Sequence, residues 1–424
     1  MTGGTGRCPV AHDVDLMDPD FLSVPFDYLT QQRRETPVFY VPEVDLYFVT
    51  RYSDAERVFL TRGTYSAGNA SSPIWQPCEA AKEVMRAIPL VPTLNNADPP
   101  RHGFMRKAVL KGLTPRRVAA MEPVLRSITE ELVAALSTEP VADLMSGLAV
   151  PLPGYAGFSL LGFPEQDWDM VKGWCRGRVQ LTYGRLPEDE QVAVARTNLA
   201  FWTYCEDHVS LRERQPGDDM TTELLAYAAG RPDEEMSRLD VVRIVYALAL
   251  AGHDSTTAAI GGGMRYLLGH QDQWAALVGD PDLIPGAVEE MLRYDPPILG
   301  HRRIALEDVE IGGVTIPAGS GIMLTLASAH RDEARFPDPD VFDVTREDAR
   351  AHLSFGKGVH LCLGAPLARL EMKVMLEVLV SRLPRLRLVE DQAFAIVPNL
   401  VFRNLEQLLV SPQGDAELVE ARHG

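Results

Sequence analysis

The chain has 424 residues, 46% of them apolar, which is enough for a large buried core. Its 59 acidic and 41 basic residues give a net charge of −18, which disfavours nucleic acid as a partner and suits a soluble protein. Five scattered cysteines (Cys8, Cys78, Cys175, Cys205 and Cys362) include no Cys-x-x-Cys pair, against a disulfide framework and for a reducing compartment.

Residues 1–20 lack the apolar core of a signal peptide, and the most apolar helical run, 244–252, is too short to span a bilayer. A cytoplasmic location with no membrane contact is therefore expected. Length alone suggests two or three domains.

Residues 1–25 are polar and proline-containing and are expected to be irregular. Two β-type runs, 38–41 and 46–49, read as a hairpin joined by 42–45. Ser53, with Glu56 three residues on, predicts a capping box at a helix start. The glycines and prolines of 62–97 predict a long loop with a short helix at 79–87, and loops of that length are usually functional. Asp98-Pro99-Pro100 opens a helix in which His102 and Arg106, four apart, share a face. Thr114-Pro115 starts a further helix to about residue 136. Residues 141–235 are expected to be helical with proline breaks, and their aromatic residues either fill a core or line a pocket.

One long helical pattern covers 237–270, with Ala251-Gly252-His253-Asp254-Ser255-Thr256 at its middle. Gly252 is a poor helix former and can mark a kink or a π-bulge. A widened turn there makes room for a small ligand such as dioxygen, with an acid and a hydroxyl beside it. Two plainer readings stand next to that one: Ser255 bonding back to the Ala251 carbonyl, and Asp254 in a salt bridge. Gly261-Gly262-Gly263 in the same helix implies either close packing or flexibility. A helix at 285–293 carries Glu290 and Arg293 on one face. Short strands follow between 303 and 325, and 398–401 reads as a loop near the end of the chain.

The loop 354–364, Ser-Phe-Gly-Lys-Gly-Val-His-Leu-Cys-Leu-Gly, precedes an apolar helical run and so hands Cys362 to a helix start. Unpaired N–H groups and the positive end of the dipole favour a thiolate there. The glycines let the backbone pass close to something flat. Phe355, Gly356, Gly358, His360, Cys362 and Gly364 together resemble the haem-binding loop of the cytochrome P450 family of haem-thiolate monooxygenases. A zinc site of His352, His360 and Cys362 is an alternative, but it lacks paired structural-zinc spacing.

The resemblance runs through four ordered motifs over nearly the whole chain. It implies a mainly α single domain, 1–424, with a smaller β region enclosing haem b, so the count from length is too high. Cys362 would be the iron ligand. His102, Arg106, Arg303 and His360 would meet the haem propionates, while Phe355, Gly356, Gly364, Ala251 and Gly252 would lie against the haem. Asp254, Ser255 and Thr256 would serve proton delivery, with serine where the family usually has threonine. Glu290 and Arg293 would brace the cysteine loop. Val341 stands where that brace's third member, an arginine, is usual, which leaves Arg346 or His352 as substitutes. Leu248, Ile298, Leu299, Leu400 and Val401 would line the substrate pocket, and a mobile lid would fall near 166–210. His301 reads as an ordinary polar residue near the haem edge.

The activity implied is insertion of one oxygen atom from dioxygen into a small or medium, largely apolar molecule. The chain has no flavin or iron–sulfur motif, so electrons would come from a separate ferredoxin and its NAD(P)H-fed reductase. A basic patch of Lys107, Lys111, Arg116, Arg117, Lys357, Arg369 and Lys373 would meet that partner. A peroxide-driven peroxygenase and a non-catalytic haem-thiolate ligand sensor keep the same fold.

Overall fold

The long helix Arg238–Gly269 is the axis of the structure, a computed structural model that describes residues 9–11, 14–89, 92–230 and 236–414. Ser237 starts it with a capping box: its hydroxyl accepts from the Asp240 N–H, and the Asp240 carboxylate accepts from the Ser237 N–H. Apolar on most sides, the helix lies inside the molecule. Helices Pro151–Leu161, Trp168–Tyr183, Glu188–Arg214, Met220–Ala229 and Ile284–Tyr294 pack around it.

The glycine run of this helix is explained by packing. Side chains grafted at Gly261, Gly262 and Gly263 would collide in turn with Met145, Asp295 and Met291. Successive helical positions point about 100° apart, so three neighbours approach the axis from three sides.

The largest sheet among the described residues has five strands in the order Val38–Val41, Leu46–Val49, Gly321–Thr325, Gly300–Ala305, Tyr65–Ser66, beside a three-stranded and a two-stranded sheet. The hairpin forms over the expected residues, with Val38 opposite Val49 and Val41 opposite Leu46. In Gly300–Ala305, strand alternation puts His301 and Arg303 on one face and Arg302 on the other. Arg302 reaches back to the carbonyls of Ala70 and Ser72 and so pins the long loop to the sheet.

Several local expectations are corrected. No capping box forms at Ser53: the helix is Tyr52–Leu60, and its first N–H, of Tyr52, donates to the Asp332 carboxylate at 2.8 Å. Glu56 pairs with Lys357 instead, so distant partners outcompete the local cap. The helix expected from Thr114 to residue 136 is two helices, Pro115–Ala120 and Glu122–Leu136, because Pro123 has no N–H to continue the first. Pro19–Ser23 is helical and Val10 bridges to Tyr40, within a segment expected to be irregular; residues 1–8, 12 and 13 of that segment lie outside the described residues. The central helix runs as unbroken α-helix through Gly252, and the π turn lies at Met145–Ala149.

Candidate active site

Cys362 leaves its loop just before helix Ala365–Arg382. The loop is closed by two backbone bonds, Gly356 N–H to Leu353 carbonyl and Cys362 N–H to Phe355 carbonyl, at 2.7 and 2.9 Å. Gly356 and Gly358 have φ of +66° and +69°, and a side chain on Gly358 would run into the Phe59 carbonyl. Cys362 and Leu361 are open, whereas Cys175 and Cys205 are sealed in the core. Desolvation by the surrounding protein atoms pushes the Cys362 thiol up even though the residue itself is exposed. The N–H groups of Gly364 and Ala365, with Arg106 and Arg369, pull it back toward thiolate.

Two buried ion networks hold the loop. Arg293 makes a two-pronged pair with Glu290 at 2.7 and 2.8 Å, both side chains fully buried, and donates on to the carbonyls of His330, Pro339 and Val341. The place of the expected arginine at Val341 is taken by Arg346, whose Nε lies 3.4 Å from Glu290 Oε1, while the Asp343 N–H donates to the same oxygen. The second network was not anticipated. Glu289 accepts two bonds from Arg369, at 2.6 and 2.9 Å, and faces His352 Nε2 at 3.0 Å. Burial alone would raise the Glu289 carboxyl, but the bonds to His352 and Arg369 bring it down to about 2. Arg369 also stacks on Phe355, 4.4 Å from its ring centre, which ties the network to the loop. The Glu289-Glu290 doublet was the available sequence signal. With both ring nitrogens engaged, by Glu289 and by the Ser354 N–H, His352 is no zinc ligand.

Beside the cysteine, nitrogen donors converge. His102 and His360 lie with ring centres 4.1 Å apart, and Arg106 donates to the Leu361 carbonyl at 2.7 Å. Arg303 is buried, and its guanidinium donates to the neighbouring Arg302 carbonyl. His301 joins them, its ring against Phe59. Burial, then the neighbouring cations, holds His360 down at about 4 and His301 at about 3; burial brings Arg303 down to about 10. Among the described residues none of the five is in salt-bridge contact with a carboxylate, and His360 Nδ1 and His301 Nε2 are buried with no partner. Cations and imidazoles weakened by one another and left unsatisfied form a receptor for buried anions. The donor set therefore fits haem b, which brings a flat body and two carboxylates, and it includes His301, which sequence reasoning had weighed as ordinary.

On the central helix, Ala251 and Gly252 are exposed although their helix is surrounded by others, and a side chain on Gly252 would meet nothing within 4 Å. They border open space inside the fold. Ser255 bonds to the Ala251 carbonyl at 2.8 Å, the plainer of its two readings. Asp254 and Thr256 are buried.

Of the expected pocket residues, Leu248 is half-buried against the main core, and Ile298 and Val401 are nearly buried. Leu299 and Leu400 sit in the apolar cluster with Phe39, Phe48 and Met323. Helices Trp168–Tyr183 and Glu188–Arg214, where the resemblance implies a lid, are clasped to the long loop. Ile74 N–H donates to the Thr182 carbonyl, Tyr183 Oη to the Ala70 carbonyl, and Cys78 N–H to Gln191. The loop's short helix is Glu79–Met85. Arg185, between helices Trp168–Tyr183 and Glu188–Arg214, stacks on Trp75 and pairs with Glu43 of the hairpin turn.

The anticipated basic patch is mostly neutralised. Arg117, Lys357, Arg369 and Lys373 each pair with a carboxylate. Lys107, Lys111 and Arg116 have no salt-bridge partner among the described residues.

Comparison with known proteins agrees with this geometry. Residues 282–393 match the family profile "Cytochrome P450". The chain is 36% identical to cytochrome P450 monooxygenase PikC of Streptomyces venezuelae over 96% of its length and 95% of the relative's. It is 38% identical to 6-deoxyerythronolide B hydroxylase of Saccharopolyspora erythraea over 76% and 78%. The solved structure of cytochrome P450 CREJ in complex with (4-ethylphenyl) dihydrogen phosphate superposes with a TM-score of 0.89 at 36% identity, covering 92% of this chain and 97% of that one.

Proposed function

The chain belongs to the cytochrome P450 monooxygenases, and on that premise we propose that it oxidises a small or medium, largely apolar organic molecule with electrons from a separate ferredoxin and reductase in the cytoplasm. Among the described residues no helix is long and apolar enough to cross a membrane. The observation that carries the proposal is an open cysteine at a helix start beside five anion-seeking nitrogen side chains, of which His102 and Arg303 are buried.

The family uses haem b, which, held on a thiolate, supplies dioxygen activation and oxygen insertion. Cys362 is the proposed ligand. The Gly364 and Ala365 N–H groups stabilise its negative charge and the two ion networks fix its position. His102, Arg106, Arg303 and His360, with His301, neutralise the propionates. Ala251 and Gly252 would leave room beside a bound haem, since a side chain on Gly252 meets nothing within 4 Å. Asp254 holds the proton that is delivered there, and Ser255 and Thr256 carry hydroxyls able both to donate and to accept. Ser255 must first leave the Ala251 carbonyl. Leu248, Ile298 and Val401 give the substrate apolar walls, and the Arg185 clasp closes the entrance. Lys107, Lys111 and Arg116 are the cations left to meet an acidic ferredoxin.

The test is reconstitution with a ferredoxin, its reductase and NAD(P)H, after ligands have been found by screening shifts of the haem Soret band. Hydroxylation, the reaction in the name of one relative, is the first product to seek. Turnover with hydrogen peroxide but not with the ferredoxin system would replace the proposal with a peroxygenase. Binding without any product would replace it with a sensor.

A further inference from the structure

His253 and Asp254 are neighbours on the central helix, and both are buried. His253 Nε2 lies 3.2 Å from the Val150 carbonyl, just past the π turn Met145–Ala149. A carbonyl only accepts, so Nε2 carries a hydrogen. That leaves Nδ1, which lies 3.6 Å from Asp254 Oδ2, and neither atom has a hydrogen-bond partner among the described residues. The ring is held in place: Phe158 lies parallel to it at 6.4 Å, and a side chain on Gly154 would press on it at 3.1 Å.

Helix Pro151–Leu161 presents Phe158 and Gly154 to the His253 ring. Helix Trp168–Tyr183 presents Cys175, whose thiol is pushed well up, and so kept neutral, by burial first and by Asp254 second. No lysine or arginine is within salt-bridge distance of Asp254 among the described residues. With Nε2–H fixed on Val150, a bare imidazole nitrogen facing a bare carboxylate would set two lone pairs against each other in a buried site. One proton between them removes that conflict in either of two forms, imidazolium with carboxylate or imidazole with carboxylic acid.

We propose that His253 is the positioning partner and proton store of Asp254. The step is a single proton transfer: the Nδ1–H bond breaks, an Oδ2–H bond forms, and imidazolium plus carboxylate become imidazole plus carboxylic acid. No electrons change hands. Because Nε2–H is held by a carbonyl that cannot supply a proton, the store refills through Asp254 from solvent. This rests on the reading of Asp254 as the proton-delivering acid, but the first arm of its test does not.

That arm is nitrogen NMR of the histidine-labelled holoenzyme, with His253 identified as the signal altered by Asp254→Asn and absent in His253→Gln. His253 should show Nε2–H, and the protonation of its Nδ1 with pH should shift when Asp254 becomes asparagine. A signal for Nδ1–H with bare Nε2, or a titration of every histidine indifferent to Asp254→Asn, overturns the proposal. The second arm uses His253→Gln, whose amide can still donate to Val150. With haem content and substrate KM unchanged, kcat should fall roughly tenfold, the pH–rate profile should change shape, and adding Asp254→Asn should cost no more than Asp254→Asn alone. Additive losses, or full activity in His253→Gln, count against the store. If Asp254 proves not to deliver the proton, only the second arm fails.

Discussion

The cysteine loop and the central helix differ in how completely their polar groups are satisfied. Around the loop, Glu290 is met by Arg293, Arg346 and the Asp343 N–H, and Glu289 by Arg369 and His352. On the helix, among the described residues, His253 Nδ1, Asp254 Oδ2 and Thr257 Oγ1 are buried without hydrogen-bond partners, and the Ser255 hydroxyl bonds back to its own helix. A metal ligand must not move, so overdetermined supports suit the role proposed for Cys362. Groups that pass protons must be able to change partners, so sparse bonding suits the role proposed for the helix groups.

Breaking the fixed side should have the largest effects. Cys362→Ala should lose the thiolate-type Soret band of the reduced carbon-monoxide complex and all turnover; a retained band would reject Cys362 as the ligand. Glu290→Gln leaves the Arg293 charge buried and uncompensated, and denaturant unfolding should show a loss of about 3–5 kcal/mol.

Glu289 adds a pH signature. Its carboxyl is held near 2 in the folded chain against an ordinary 4.5, so unfolding takes up a proton as pH falls between those values. The stabilisation is complete above about 4.5 and is lost as pH drops toward about 2, in total roughly 3 kcal/mol. Glu289→Gln should flatten that part of the stability–pH curve, and an unchanged curve would remove the second network from the account.

Arg303→Gln or Arg106→Ala should cost about 1–3 kcal/mol of haem affinity, measured by haem transfer to an acceptor protein. Undiminished retention would exclude that arginine from the propionate set.

The mobile side should respond most subtly. Ser255→Thr keeps the hydroxyl and adds a methyl that restricts χ1, so product per NAD(P)H should hold or rise. Ser255→Ala should divert reducing equivalents to peroxide, and equal coupling in that variant would take the hydroxyl out of the proton path.

The sequence by itself determined what is local. The turn at Gly356 and Gly358, the helix start after Cys362, the Ser237 start of the central helix and the β hairpin all follow from residues a few positions apart, whose spacing carries the backbone geometry. The tertiary structure decided what depends on distant partners. Tyr52 is capped by Asp332 from 280 residues away, so the nearby Ser53–Glu56 signal went unused. Arg346 filled the gap at Val341, and Glu289 found Arg369 from 80 residues away. His301 joined the anion receptor only because the sheet turns it to the same face as Arg303. The glycine run had two readings until three side chains were seen to press on it. Charge pairing and packing depend on distance in space, and only the folded chain sets that distance.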